Sequence, residues 1–177
     1  DFDLADPASY ERNWKNYAAI INAAAYTAVD AAETPEGRHA AWQINVHAVA
    51  RLAAVAVQHS LTLVHVSSDY VFDGTQENHP EDEAFSPLGV YGQTKAAGDA
   101  VVSVVPRHYI VRTSWVIGEG ANFVRTMASL AERGIAPSVV NDQVGRLSFT
   151  ADLAAGIRHL LELSLIHISE PTRQEAI

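Results

Sequence analysis

The seven residues at positions 61–67, LTLVHVS, decide the fold of this chain when they are taken with their neighbours in sequence. They form a short apolar run of strand length, which predicts a buried β-strand. Apolar residues at helical spacing precede it over 35–59, and a second helix is predicted over 91–104. Apolar runs at 18–23 and 108–114 predict two further strands. Strands that alternate with helices in this way predict an α/β fold with a doubly wound parallel sheet.

The other elements are predicted from capping residues, proline and glycine. Asp6 and Pro7 are typical of a helix start, and Gly74, Pro80 and Pro87 indicate a long connection. The expected elements are a helix at 7–17, loops at 26–35 and 69–90, a helix at 122–133, a short strand at 138–140 and a helix from residue 150.

The composition bounds the class of protein. The chain has 177 residues, of which 48% are hydrophobic and 19% charged, so it can bury a core. The net charge of −9 argues against a general nucleic-acid binder or a polybasic membrane anchor. Because there is no cysteine, disulfides, thiolate metal sites and cysteine nucleophiles are excluded. The eight histidines are scattered, so no metal site is expected, and the expected compartment is the cytoplasm.

The two ends of the sequence suggest that it is a fragment. It begins at Asp1, and the only methionine is Met127. Residues 163–173, LSLIHISEPTR, resemble the translation of a transposase sequencing adapter, although a natural strand and loop is the alternative. We therefore expect natural sequence over 1–163 and a non-native tail over 164–177.

Chemistry is expected where the strands end. In doubly wound sheets the ligand lies outside the carboxyl ends of the strands. Tyr91 and Lys95 are four residues apart and share a helix face. An ammonium near a phenol lowers its pKa, and such a tyrosine can protonate a carbonyl oxygen as a hydride arrives at carbon. Taken singly, Tyr91 and Lys95 could be an ordinary pair on the protein surface. Ser68 follows strand 61–67 and, taken singly, could be a serine that simply caps a turn.

Five ordered segments carry a resemblance to a known family. The chain resembles the extended short-chain dehydrogenase/reductase superfamily, and within it the dTDP-4-dehydrorhamnose reductase family. The matching segments are NAAAYTAVDAAE at 22–33, VSSDYVFDG at 66–74, SPLGVYGQTK at 86–95, RTSWVIG at 112–118 and NDQVGR at 141–146.

The resemblance assigns roles to particular residues. Tyr91 would be the general acid, and Lys95 would lower its pKa and bind the nicotinamide ribose. Ser68 would hydrogen-bond the substrate carbonyl, and Asn45 would brace the site. The implied catalytic residues are Ser68, Tyr91 and Lys95; the implied cofactor-binding residues are Asp3, Leu4, Ala23, Ala24, Ala25 and Lys95; the implied substrate-binding residues are Ser68, Tyr70, Tyr91 and Trp115. For Trp115 and Tyr70 the alternative is a place in the core.

The resemblance also implies what the chain lacks. The glycine-rich phosphate-binding fingerprint of such proteins is absent, so 1–163 is interpreted as a partial NAD(P)-binding Rossmann-like domain without its first βαβ unit, truncated at both ends. The parent protein would use NADPH or NADH to reduce the 4-keto group of dTDP-4-dehydro-6-deoxy-L-mannose to dTDP-L-rhamnose, as a homodimer. We expect the fragment alone to be weak or inactive.

Two alternative functions stay open at this stage. One is another extended short-chain dehydrogenase, such as a sugar-nucleotide epimerase or dehydratase. A dehydratase would be expected to carry an acidic pair after the hydroxyl residue, whereas Ser68 is followed by Asp69 and Tyr70. The other is a non-catalytic regulatory subunit, like the beta subunit of methionine adenosyltransferase.

Overall fold

The computed structural model describes residues 3–166, which fall into two compact units. The first covers 3–112 and the second 113–166. The predicted tail at 164–177 lies almost entirely outside the described residues, so its origin stays a prediction.

The first unit is built on a three-stranded sheet in the order β1-β2-β3. Its strands are β1 (Ala19–Asn22), β2 (Thr62–Ser68) and β3 (His108–Thr113), the last of which ends at the boundary between the units. β1 and β2 are parallel. All three predicted strands are therefore confirmed, with ends shifted by a residue or two. The parallel pairing with helical crossovers confirms the α/β, Rossmann-like class.

One long helical segment connects β1 to β2. It consists of α1 (Pro35–Trp42), a π-helical turn (Gln43–Ala48) and α2 (Val49–His59). Thr34 caps its start by accepting a hydrogen bond from the Gly37 amide. By length and composition alone the segment could also cross a bilayer. However, it buries one face in the core of this unit, where its residues Val49, Leu52, Ala53 and Ala56 pack with Trp14, Leu61, Leu63, Val102 and Val105.

Helix α3 (Val90–Val102) lies tightly against its neighbours because two glycines allow close approach. A Cβ at Gly98 would lie 2.5 Å from the Asn45 carbonyl oxygen in the π-helical turn. A Cβ at Gly92 would lie 2.2 Å from the Tyr70 carbonyl oxygen. Both contacts are backbone contacts, so they fix α3 against the segments that carry the candidate site.

The second unit contains two short parallel strands and two helices. The strands are β4 (Val116–Ile117) and β5 (Ser148–Phe149), and the helices are α4 (Phe123–Glu132) and α5 (Thr150–Ile166). The Asn122 side chain caps α4 by accepting from the Arg125 amide. The helix predicted at 122–133 and the helix start at Thr150 are confirmed.

Several predicted local elements are wrong. The strand predicted at 138–140 is irregular, because β4 and β5 pair with each other and leave this apolar run without a partner strand. The helix predicted at 7–17 is two separate 3₁₀ turns, Pro7–Tyr10 and Trp14–Asn16, the second capped by Asn13. The predicted loops at 26–35 and 69–90 each contain a 3₁₀ turn, Ala31–Glu33 and Asp69–Val71.

Candidate active site

Ser68 ends β2, and its hydroxyl caps the 3₁₀ turn that follows. The hydroxyl accepts a hydrogen bond from the Tyr70 amide at 3.2 Å and donates to the Asp69 carboxylate at 3.1 Å. It also lies close enough to the phenol of Tyr91 to lower the pKa of that group. The expected hydrogen bond from Ser68 to a substrate carbonyl stays a prediction.

Tyr91 lies in the first turn of α3 and is buried. Its ring packs against Ala32, Ala41 and Val90, and the ring of Tyr70 meets it edge-on with centroids 5.5 Å apart. Burial raises the pKa of Tyr91, while the nearby Ser68 hydroxyl acts in the opposite direction. The phenol is therefore protonated at neutral pH, which is the form that a proton donor requires.

Lys95 lies one helical turn after Tyr91, and its side chain is 2% exposed. Its ammonium donates a 2.7 Å hydrogen bond to the carbonyl oxygen of Val66 on β2. Burial lowers the pKa of Lys95 to about 8, and the charge of Asp99 raises it. Burial dominates the pKa of Tyr91, which is raised overall, and the expectation that Lys95 lowers this pKa stays a prediction.

Asn45 braces the site from the π-helical turn. Its side-chain oxygen accepts from the Tyr26 amide at 2.9 Å, and its side-chain nitrogen donates to the Tyr26 carbonyl and to the Thr94 hydroxyl. Thr94 in turn donates to the carbonyl of Tyr91 at 2.8 Å. The expected bracing role of Asn45 agrees with these contacts. The role of Thr94 as the link between Asn45 and Tyr91 could not be predicted from the sequence, because Asn45 and Thr94 are brought together only by the fold.

A second residue that the sequence reasoning missed is Glu33. Its side-chain oxygen accepts a 2.8 Å hydrogen bond from the amide of Val90, the first residue of α3. The residue before this helix is Gly89, which has no side chain with which to cap it. A carboxylate from 57 residues earlier therefore satisfies a free amide and complements the positive end of the helix dipole.

The residues expected to hold a cofactor follow β1 and the start of the chain. Ala23 and Ala24 are exposed and Ala25 is half-buried. The Ala24 amide donates to the side-chain oxygen of Asn22, which fixes the backbone of this turn. Asp3 accepts from the Ala5 amide, and Leu4 packs against the core. The small exposed side chains leave the carboxyl end of β1 accessible, as a dinucleotide requires.

Trp115 belongs to the second unit, whereas Ser68, Tyr70, Tyr91 and Lys95 come together in the first. The indole is 39% exposed, so the alternative of a core residue is wrong. Its backbone has a φ of 43°, a left-handed conformation that a bulky residue rarely adopts. Its ring lies 5.7 Å from that of Phe123. Residues held in such conformations are often functional.

The chain was also compared with known protein families and relatives. The family described as the RmlD substrate binding domain matches residues 1–170. The chain is 41% identical over 150 residues to dTDP-4-dehydrorhamnose reductase of Aggregatibacter actinomycetemcomitans, covering 83% of this chain and 50% of the relative. It is 40% identical over 163 residues to dTDP-4-keto-6-deoxy-D-glucose reductase of Streptomyces niveus, covering 89% and 56%.

Among solved structures, the chain is similar to dTDP-4-dehydrorhamnose reductase from Bacillus anthracis in complex with NADP. The TM-score is 0.87 at 33% identity, and the match covers 99% of this chain and 62% of that one. The chain therefore spans about half the length of the curated relatives it matches.

Proposed function

This chain belongs to the RmlD substrate binding domain family, and we propose that the protein which carries it reduces the 4-keto group of a dTDP-linked 6-deoxyhexose. The proposed substrate is dTDP-4-dehydro-6-deoxy-L-mannose and the product dTDP-L-rhamnose. The observation that supports this best is the grouping of the Ser68 hydroxyl and the buried Tyr91 phenol at the end of β2, with the Lys95 ammonium one helical turn further along α3.

In the proposed reaction, the chain's residues hold the carbonyl and supply one proton. The Ser68 hydroxyl and the Tyr91 phenol would both hydrogen-bond the 4-keto oxygen. As hydride adds to C4, the carbonyl π bond breaks and Tyr91 transfers its proton to the oxygen, which gives an alcohol. The Lys95 ammonium stabilises the negative charge that then develops on the tyrosine. Tyr70, which lies edge-on to Tyr91 and is half-exposed, is placed to contact the sugar.

The residues present fit a nicotinamide dinucleotide. Bound NADPH or NADH would supply the hydride. Ala23 and Ala24 present only methyl groups at the carboxyl end of β1, and the buried Lys95 ammonium can donate to a ribose hydroxyl in addition to the Val66 carbonyl. Ala25, Asp3 and Leu4 would complete the contact along the dinucleotide, and Trp115 would contact the substrate.

The wider setting of the protein is proposed on the same basis. We place it in the cytoplasm as a homodimer whose partner molecule is a dTDP-linked 4-keto-6-deoxy sugar, with neither nucleic acid nor a membrane as a partner. The 177-residue chain alone is expected to turn over slowly or not at all, because it spans about half the length of its curated relatives.

The test is an assay of NADPH oxidation with dTDP-4-dehydro-6-deoxy-L-mannose. It uses the protein completed to the length of its relatives, as wild type and as Tyr91→Phe. The wild type should form dTDP-L-rhamnose, and the variant should lose about 10²-fold or more in kcat, as expected for a positioned proton donor. Tyr17→Phe is the matched control, because Tyr17 is an exposed tyrosine outside the site.

The outcomes separate the competing functions. Folded protein that binds the cofactor but forms no product would contradict the reductase and favour a regulatory subunit. Water loss or inversion of a sugar carbon without net cofactor oxidation would favour a dehydratase or an epimerase. Faster turnover of dTDP-4-keto-6-deoxy-D-glucose would assign the protein to the activity named for the Streptomyces niveus relative.

A further inference from the structure

A buried group of charged and polar side chains lies behind Lys95, on the side of α3 that faces the sheet. Asp99 is fully buried at 0% exposure and follows Lys95 by one helical turn, so the two side chains share a face of α3. His65 on β2 is also fully buried, and its Nε2 lies 3.7 Å from the Asp99 carboxylate. The proposed reaction assigns no role to Asp99 or His65.

Arg112 on β3 holds the Asp99 carboxylate from the other side. Its Nε donates a 3.2 Å hydrogen bond to Oδ2 of Asp99. The guanidinium also lies 5.2 Å from the centre of the Phe72 ring and 5.5 Å from that of Phe85. Arg112 therefore connects the carboxylate behind α3 to the long segment between β2 and α3. Burial raises the pKa of the Asp99 carboxyl, while Ser67 and Arg112 act in the opposite direction.

His65 contributes a neutral side chain to this group. The Ala24 amide donates to the Asn22 side-chain oxygen, so the Asn22 side-chain nitrogen is the atom that faces His65 Nδ1, at 3.0 Å. Nδ1 is therefore an acceptor, and the ring carries its proton on Nε2, towards Asp99. Burial lowers the pKa of His65 to about 3, so the ring supplies no charge at neutral pH.

The arrangement leaves Asp99 as the counter-charge of Lys95. A buried ammonium without one would release its proton, because burial disfavours the charged form. Other titratable groups face this region from neighbouring elements: His65 on β2, Arg112 on β3, and Glu33, Asp69, Tyr70 and Tyr91 near the start of α3. Of these, Asp69 and Tyr70 act on Tyr91, and His65 is neutral.

We propose that Asp99 is a positioning residue for the reaction: held by Arg112, its carboxylate keeps the buried Lys95 side chain charged and directed at the carboxyl end of β2. Asp99 does not touch the reacting atoms and acts through Lys95. The relevance of this arrangement to turnover depends on the proposed reductase function. The electrostatic link between the two side chains does not, so it can be tested separately.

The chain offers a simple measurement, because Lys15 and Lys95 are its only lysines. We would label lysine with ¹³C, follow both Cε signals by NMR from about pH 6 to 11, and compare the wild type with Asp99→Asn. In the wild type, Lys95 should titrate near 8. In the variant its midpoint should fall by about one unit, because the Asp99 charge raises the pKa of Lys95 and a neighbouring opposite charge shifts a pKa by about 1–3 units. The signal of the exposed Lys15 is the internal reference.

Two further variants control for structural effects. Asp99→Glu retains the carboxylate and should return the midpoint towards the wild-type value. Asp82→Asn removes an exposed carboxylate from the long loop and should leave it unchanged. If Asp99→Asn does not fold, the double variant Asp99→Asn, Arg112→Gln also removes the guanidinium that would otherwise face the lost carboxylate. The same fall is expected there. An unchanged Lys95 midpoint in either folded variant would overturn the proposal.

The pH profile of the completed protein supplies the readout on turnover. In Asp99→Asn the upper pKa of the kcat/KM profile should fall by about one pH unit, and Asp99→Glu should restore it. A uniform loss of rate with an unchanged upper pKa would show a merely structural role and overturn the link to turnover. A wild type without turnover would contradict the reductase function, while the NMR result would still decide the link between Asp99 and Lys95.

Discussion

Acidification from about pH 7.5 to 5.0 is expected to destabilise this chain through His65 in particular. The imidazole is fully buried on β2 and accepts a hydrogen bond from Asn22 at Nδ1. Burial, with a smaller contribution from the Lys95 charge, lowers its pKa from 6.5 to about 3. Protonation would replace that acceptor with a second donor and place a cation near the Lys95 ammonium. The folded chain therefore keeps His65 neutral throughout this pH range.

The size and sign of the effect follow from the two pKa values. In the unfolded chain His65 takes up a proton as the pH falls through 6.5, whereas in the folded chain it does so only near 3. Between these values the unfolded state binds more protons than the folded state, so the free energy of unfolding decreases as the pH is lowered. At pH 5.0 the free energy of unfolding is lower by about 2 kcal/mol from this one group. The pH is then about one and a half units below the pKa of the unfolded state, and each unit is worth about 1.4 kcal/mol.

The assay is urea unfolding followed by tryptophan fluorescence at several pH values, for the wild type and for His65→Asn. Asparagine offers an oxygen to Asn22 and does not titrate, so its packing cost is the same at every pH. The stability difference between the two proteins should shrink by about 2 kcal/mol from pH 7.5 to 5.0. A difference that stays constant, or a His65 C2–H resonance of the folded chain that titrates above pH 5, would contradict this prediction.

Two further predictions concern the placement of α3. Gly92→Ala should lower the free energy of unfolding by about 1–3 kcal/mol, although alanine favours helices, because its methyl group would meet the Tyr70 carbonyl. Gly89→Ala meets only the tip of Glu33 and is the matched control in the same urea assay; equal stability of the two variants would show that the contact with Tyr70 is unimportant. Glu33→Ala should cost about 0.5–2 kcal/mol by removing the hydrogen bond to the Val90 amide, and Glu33→Gln, which keeps an acceptor, should cost less. A larger loss from the glutamine variant would contradict the capping role.

Much of the fold could be predicted because its signals are local. The apolar runs that became β1, β2 and β3, and the helical stripe over 35–59, each contain enough consecutive residues to define one element. The elements that were predicted wrongly depend on contacts with other parts of the chain. Val139 and Val140 are typical strand residues, but a strand exists only where another strand pairs with it, and here β4 pairs with β5. The helix expected at 7–17 became two 3₁₀ turns for which the sequence had no separate signal.

The site residues divide in a similar way. Ser68, Tyr91 and Lys95 could be nominated because a strand end and a four-residue helical spacing are properties of the sequence alone. Glu33 and Thr94 could not be recognised in this way, since their partners lie 57 residues away or on another element. Asp99 has the same four-residue spacing from Lys95, but its contact with Arg112 on β3 appears only in the fold. The sign of the pKa shift at Tyr91 was also beyond reach, because it depends on how deeply the phenol is buried.

Short-range spacing was enough to predict the alternation of strands and helices and to single out Ser68, Tyr91 and Lys95 as candidates, whose roles came from the family resemblance. The pKa values and the placement of these side chains depend on the tertiary structure, because desolvation and hydrogen bonding depend on what surrounds a group in space. The pKa of Tyr91 is raised because the core covers it. The pKa of Lys95 is lowered by burial and raised by Asp99, which α3 carries into the interior and Arg112 on β3 holds.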